Sequence, residues 1–276
     1  MKLYLSKVND LYKCPRLFKY KYIDFLAPKE EPSYLRVGRA LHKVQQLLLP
    51  KRKENEMYQT NHYLVPGVEE AIDSLPNEEE KTLVSSLAST LNTNFPNTYE
   101  VVGTEQLYSF SPLNLMREEY VWYSKVDILL KKDKELWIGE TKTTSGYGPS
   151  LQTLFHRDLQ TAVYALTYMK QTNEKPEGVV AFILTKTKIP NLYVEEIPLS
   201  LERLTLAEKF VKEACSFLAF IMHNNFFVRN LTNCFSWGKE CIYTPLCYSL
   251  SPKKEYEEEV KNSWYIQKDP DEHLFL

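Results

Sequence analysis

The sequence has little glycine, 8 residues in 276, and no long proline, serine or glutamine tract. Those absences exclude a largely disordered or low-complexity chain. It also lacks a surplus of positive charge. Lys and Arg number 34 against 36 Asp and Glu, for a formal net charge of -2. That balance counts against a passive nucleic-acid coat, whose affinity comes from neutralising phosphates. It leaves room for an enzyme with an acidic, metal-holding site. No apolar run approaches the ~20 residues of a membrane span, and the opening MKLYLSKVNDLYKC holds no signal-type stretch. The expectation is a cytoplasmic protein with no membrane contact. A G-x-x-x-x-G-K-[ST] phosphate loop is missing too: KTTSGYG has the letters without the spacing. Any helicase or recombination motor would have to be a separate partner.

What is present is a core-forming composition. Hydrophobic residues make up 43% and tyrosines number 19. This suits one large domain. Five cysteines in a reducing compartment suggest metal ligation more than disulfides.

The periodicity predicts a helix over 3–23 with Ser6 as its cap, and a second over 33–49, where Leu35, Val37, Leu41, Val44 and Leu48 recur at helical spacing. Residues 50–98 read as a small helical insertion, with helices at 67–75 and 78–92. The pattern then changes to strands at 99–110, 118–130 and 135–143. A helix over 151–171, strands at 178–186 and 191–197, and a helix over 200–226 follow. A cysteine-bearing loop spans 230–248, and a charged, peripheral tail spans 251–276. The order predicts an α/β fold with a mixed central sheet flanked by helices, in a single domain over 1–250.

The sharpest chemical signal lies in the hairpin. A tip at Asp133 and Lys134 sets Asp127 opposite Glu140, on one sheet face with Cβ atoms ~5 Å apart. Glu140 and Lys142 are two apart on one strand and share that face. Carboxylates so close repel unless a proton or cation lies between them. Their oxygens suit Mg²⁺ or Mn²⁺, and the lysine can orient or deprotonate a water, or stabilise charge on a phosphate. A solvated surface hairpin would show the same letters. The apolar neighbours Val126, Ile128, Leu129, Leu130, Trp137 and Ile138 favour the functional reading, because charges inside apolar strands need a reason.

KVDILL and IGETKTT resemble the second and third motifs of the PD-(D/E)xK nucleases, and four further features are similar to the RecB-like branch of that superfamily. GRALHKV carries Gly38 and His42, and the resemblance makes His42 a metal ligand. LFHRDLQTAVYALTY carries Gln160 and Tyr164, four apart and hence on one helix face. They resemble the Gln-x-x-x-Tyr motif beside the catalytic lysine. VVGTEQLYSF resembles the strand that bears an acidic residue ahead of the hairpin, which marks Glu105 as an auxiliary site residue. YKCPRLFKY, with Cys14, resembles the opening of the iron–sulfur members, whose other three cysteines lie near the carboxyl end. Cys234, Cys241 and Cys247 stand there as C-x6-C-x5-C.

The resemblance implies a restriction-endonuclease-like core with an amino-terminal helical region and a carboxyl-terminal four-cysteine region. It spans roughly residues 4–248 and includes helicase–nuclease subunits of the AddB type, CRISPR-adaptation nucleases and phage exonucleases. It implies Mg- or Mn-dependent hydrolysis of DNA, with an exonuclease expected. His42, Asp127, Glu140 and the Thr141 carbonyl would hold one or two such ions, and Lys142 would place the nucleophile. Cys14, Cys234, Cys241 and Cys247 would hold a 4Fe–4S cluster. Many members have C-x2-C where this chain has C-x6-C, and four thiolates also accept Zn²⁺. Cys215, on an apolar helix, reads as packing. The alternative of a different class is an inactive nuclease fold that only binds DNA or a partner.

Overall fold

The structure is a computed structural model, and it describes residues 1–52, 61–115, 118–236, 239–248 and 254–269. In chain order the elements are β1 (Lys2–Leu3), α1 (Leu5–Lys13), α2 (Pro15–Tyr22), β2 (Leu26–Pro28), α3 (Ser33–Lys51), α4 (Val68–Asp73), α5 (Glu78–Asn94), β3 (Glu100–Leu115), β4 (Glu118–Lys132) and β5 (Glu135–Thr144). Then come α6 (Pro149–Arg157), α7 (Leu159–Thr172), β6 (Gly178–Thr185), β7 (Leu192–Pro198), α8 (Leu201–His223), β8 (Phe235–Ser236), β9 (Lys239–Glu240), α9 (Thr244–Cys247), α10 (Lys254–Trp264) and β10 (Tyr265–Gln267). The chain divides into two compact units.

The larger unit covers Pro32–Pro112 and Val121–Val211. It holds the expected mixed sheet, in which β4, β5, β6 and β7 are neighbours in that order and β3 pairs with β4. The β4–β5 ladder is antiparallel, from Lys132↔Glu135 to Ile128↔Gly139. This is the predicted register, and Asp133 and Lys134 form the two-residue tip. Their φ values of 51° and 73° put both in the left-handed region, as a type I′ turn demands. β5 and β6 run parallel, with Glu140↔Ala181 and Lys142↔Ile183. Parallel neighbours need a long crossover, which α6 and α7 supply. β7 returns antiparallel to β6, with Ala181↔Glu195.

The pleat sorts the sheet into two faces. Ile128, Leu130, Trp137, Val180, Phe182 and Leu184 pack against Val37, Leu41, Val44 and Leu48 of α3. On the other face, Ala181 and Ile183 pack with Phe155 of α6 and Ile197 of β7. Of the insertion expected over 50–98, residues 53–60 lie outside the described residues, and the helices that follow are not set apart. Val68 and Ile72 of α4 and Val84, Leu87 and Leu91 of α5 belong to the same core as α3.

The expected single helix over 151–171 is two helices. Asp158 separates them and caps α7, its carboxylate accepting the Gln160 amide at 2.9 Å. Aspartate at this position competes with helix continuation by bonding the backbone ahead of it.

The smaller unit covers Met1–Glu31, Leu113–Tyr120 and Lys212–Leu276. Ser6 does not cap α1, whose N-cap is Tyr4 without a side-chain bond. The helix breaks at Cys14, which is extended (φ -165°, ψ 112°), because Pro15 disfavours helical backbone in the residue before it. Beyond 250 the tail is not peripheral over its described part. β10 pairs antiparallel with β2, from Tyr265↔Pro28 to Gln267↔Leu26. Val260 and Tyr265 are buried with Leu17, Tyr20, Leu26, Tyr243 and Leu246. The Tyr243 hydroxyl donates to the Leu26 carbonyl at 2.6 Å, tying the two ends of the chain. Residues 251–253 and 270–276 of the predicted tail lie outside the described residues. No described helix is long and apolar enough to cross a membrane.

Candidate active site

The site grows from the middle of the β4–β5 hairpin. One step beyond Ile128↔Gly139 the register brings Asp127 to Glu140. Both carboxylates are buried. Asp127 Oδ2 accepts the Thr141 amide at 2.9 Å, so the Thr141 backbone anchors the neighbouring carboxylate. Burial, and then the Glu140 charge, push the Asp127 carboxyl well above the usual carboxylate range.

His42 reaches this point from α3. Its Nδ1 lies 3.5 Å from Asp127 Oδ1 and 3.2 Å from Glu105 Oε1. Burial works against the imidazolium, but Asp127, Glu105 and Glu140 outweigh it and lift His42 from 6.5 to about 9. Glu105 arrives on β3 with φ 53°, an uncommon backbone for a residue with a side chain. Its other oxygen meets Lys125 at 2.5 Å. Burial opposes ionisation of Glu105, but bonds to His42 and Lys125 prevail and hold its pKa below the ordinary value.

Among the described residues, His42, Glu105 and Asp127 form a group of ligand atoms all within 4.8 Å of one another. Glu105 therefore stands closer to the metal-type cluster than an auxiliary role suggests. Glu140 takes a different place. Its Oε1 meets the Lys142 ammonium at 2.6 Å and the Gln160 amide at 2.7 Å. Its Oε2 is buried and has no hydrogen-bond partner among the described residues. A buried carboxylate oxygen without a donor is costly, and a cation is the natural remedy. The oxygen and imidazole donors gathered here suit a divalent ion.

Gln160 is the hub of the second half of the site. Its carbonyl accepts from Lys142 at 2.8 Å, while its amide donates to Glu140 and, at 2.8 Å, to the Tyr164 hydroxyl. Tyr164 is one helical turn on and is raised well above its ordinary pKa, chiefly by burial. Burial lowers the Lys142 pKa, but Glu140 more than compensates, and the net shift is upward.

The structure brings His42, Glu105 and Asp127 together, and joins Glu140, Lys142, Gln160 and Tyr164 by hydrogen bonds and an ion pair, while Thr141 enters through its amide to Asp127 and not through the expected carbonyl. Two that sequence reasoning passed over join them. Asp158 sets the start of α7 and hence Gln160; its signal was an aspartate directly before a helical run. Lys125 pairs with Glu105; no local pattern marked it.

In the smaller unit, Cys14, Cys234, Cys241 and Cys247 line one cavity with Arg16, Tyr243 and Arg229. Cys14 accepts the Asn230 amide at 3.4 Å, and the Cys241 amide donates to the Cys234 carbonyl at 2.8 Å. Burial pushes the Cys241 and Cys247 thiols up, while Arg229 and Arg16 pull Cys247 back toward the thiolate. Cys215 lies elsewhere, fully buried on α8, its thiol raised to about 11 by burial.

Residues 4–248 match the model of the PD-(D/E)XK nuclease superfamily. No match is found among curated proteins. Among solved structures, the chain is similar to a "Putative exonuclease" from Eubacterium rectale. The TM-score is 0.55 at 13% identity, over 81% of this chain and 82% of that one. That likeness is one of fold. A chain described as SSO0001 aligns at 14% identity over 67% of this chain and 85% of its own, with a TM-score of 0.33, too low to carry an argument.

Proposed function

The chain belongs to the PD-(D/E)XK nuclease superfamily, and we propose that it is an active, Mg- or Mn-dependent deoxyribonuclease of the RecB-like branch that works on DNA ends. The observation that carries the reading is Glu140. One of its oxygens is held by Lys142 and Gln160, and the other is buried without a donor beside Asp127. An inactive binding module would gain nothing from keeping that arrangement, which costs free energy in the protein alone.

In this reading His42, Glu105, Asp127 and Glu140 hold the ion. When bound, Mg²⁺ or Mn²⁺ would polarise the scissile phosphate and acidify its water. The chain's own residues do the rest. Thr141 fixes the Asp127 carboxylate through its amide. Lys142 stays protonated and donates to the phosphate or the incoming water, which stabilises the charge that develops there. Gln160 keeps the ammonium aimed by accepting from it, and Tyr164 keeps Gln160 in place.

The four cysteines are proposed to hold a 4Fe–4S cluster that fastens the chain's two ends. The support is that all four line one cavity, although Cys14 lies more than 200 residues from the others in sequence. Their donors are thiolate sulfurs, which suit iron–sulfur clusters and also Zn²⁺. Iron and sulfide analysis of anaerobically purified protein separates the two.

The deciding experiment uses linear end-labelled DNA and covalently closed circular DNA, with Mg²⁺, Mn²⁺ or EDTA. Metal-dependent loss of the linear substrate with the circle spared is expected. Cutting of the circle would make it an endonuclease. Binding without cleavage under any metal would establish the inactive module instead.

A further inference from the structure

Glu105 divides its two oxygens between opposite partners. Oε1 faces His42 Nδ1 at 3.2 Å, within the ligand group, and Oε2 meets the Lys125 ammonium at 2.5 Å. The Glu105 side chain is 8% exposed and that of Lys125 40%, so the lysine covers the carboxylate from the solvent side. The backbone is bent to allow this. At φ 53° Glu105 occupies the left-handed region, which is unfavourable for a residue with a Cβ. Local strain of that kind persists only when the surroundings over-determine it.

We infer that Lys125 is a positioning residue that restricts Glu105 to a single coordinating oxygen and thereby selects the ion the site accepts. The inference rests on the reading of His42, Glu105 and Asp127 as a metal-holding group. Its physical basis is coordination number. Mg²⁺ demands near-ideal octahedral geometry and is satisfied by one oxygen from each carboxylate. Ca²⁺ takes roughly 6–8 oxygens and draws on carboxylates through both at once. A carboxylate with one oxygen committed to an ammonium can supply only the other. The Lys125 charge also repels a second divalent ion on that side of Glu105. The site should therefore bind one small ion and discriminate against Ca²⁺.

Calorimetric titration of the full chain with Mg²⁺, Mn²⁺ and Ca²⁺ reads this without any cleavage assay. Wild type, Lys125→Met, Lys125→Arg and Lys131→Met are compared at one pH. In Lys125→Met the Ca²⁺ affinity should rise relative to Mg²⁺ by about tenfold or more. In Lys125→Arg a donor remains on Oε2, and the ratio should stay near wild type. Lys131→Met makes the same charge change at the hairpin end and should leave the ratio alone. Should Lys125→Met fail to fold, Lys125→Leu carries the same comparison, since it too leaves Oε2 without a donor. An unchanged ratio, or equal weakening for all three ions, overturns the inference and leaves the metal site standing. A wild-type protein that binds none of the three ions overturns the metal-site reading itself.

Discussion

His42 Nδ1 lies 3.5 Å from Asp127 Oδ1, a contact that joins helix α3 to the hairpin strand β4. Without a divalent ion, the bond is between an imidazolium held up to about 9 and a carboxyl pushed upward by burial and by Glu140. A divalent ion would have to replace the His42 proton to bind there.

The apoprotein should therefore lose stability as pH rises. Both groups have folded pKa values above their unfolded ones, so the folded state binds more protons. Their contribution is fully present below the unfolded values. For His42 it disappears between 6.5 and about 9. Thermal melts in EDTA should show Tm falling across that window, and saturating Mn²⁺ should flatten the fall. A Tm that climbs from pH 6.5 to 9 in EDTA would contradict the assigned shifts.

Asp127→Asn should weaken Mn²⁺ binding by about 100-fold or more, since ligand loss exceeds the ~10–100-fold typical of outer-shell changes. It should also leave the apoprotein at least as stable as wild type at pH 8, because one of two facing buried carboxylates is gone. Calorimetric titration and melts on the same preparation check both. Full Mn²⁺ affinity in this variant would remove Asp127 from the ligand set.

Lys142→Ala should lower kcat by about a thousandfold, the cost of losing a donor aimed at developing charge, while DNA affinity stays near wild type. Gln160→Ala should cost less, about 10–100-fold, because it only frees Lys142 and Glu140 to drift. Single-turnover cleavage separates the two variants. Near wild-type cleavage by Lys142→Ala would refute the assigned chemistry.

Replacing any one of Cys14, Cys234, Cys241 or Cys247 by Ala should release iron and lower Tm, because metal binding and folding are coupled. Cys215→Ala should keep the full iron content. Colourless wild-type protein carrying one zinc would retain the four-cysteine site and discard the cluster. A variant at Cys14 with undiminished metal content would place that residue outside it.

Much of the frame was legible before any coordinates. The hairpin register follows from a two-residue tip and alternating strands, both local properties, so Asp127, Glu140 and Lys142 could be brought together from sequence. The break at Cys14, inside the helix expected over 3–23, has an equally local cause in the proline after it. The one-turn spacing of Gln160 and Tyr164 is likewise local, although the helix expected over 151–171 divides at Asp158.

The division of labour among the carboxylates was decided by tertiary structure. The family resemblance assigns His42, Asp127, Glu140 and the Thr141 carbonyl to one or two ions and leaves Glu105 beside them. In the folded chain Glu105 joins His42 and Asp127, while one oxygen of Glu140 is engaged by Lys142 and Gln160. That outcome depends on how α3 packs on the sheet and on the left-handed backbone at Glu105. No periodicity encodes either one, because both are settled by contacts between segments far apart in the chain. The same holds for Lys125, whose significance comes wholly from the carboxylate oxygen it covers. It holds too for Cys14, which a proline bend could turn toward a partner but which only packing of the chain's two ends brings to the other three cysteines.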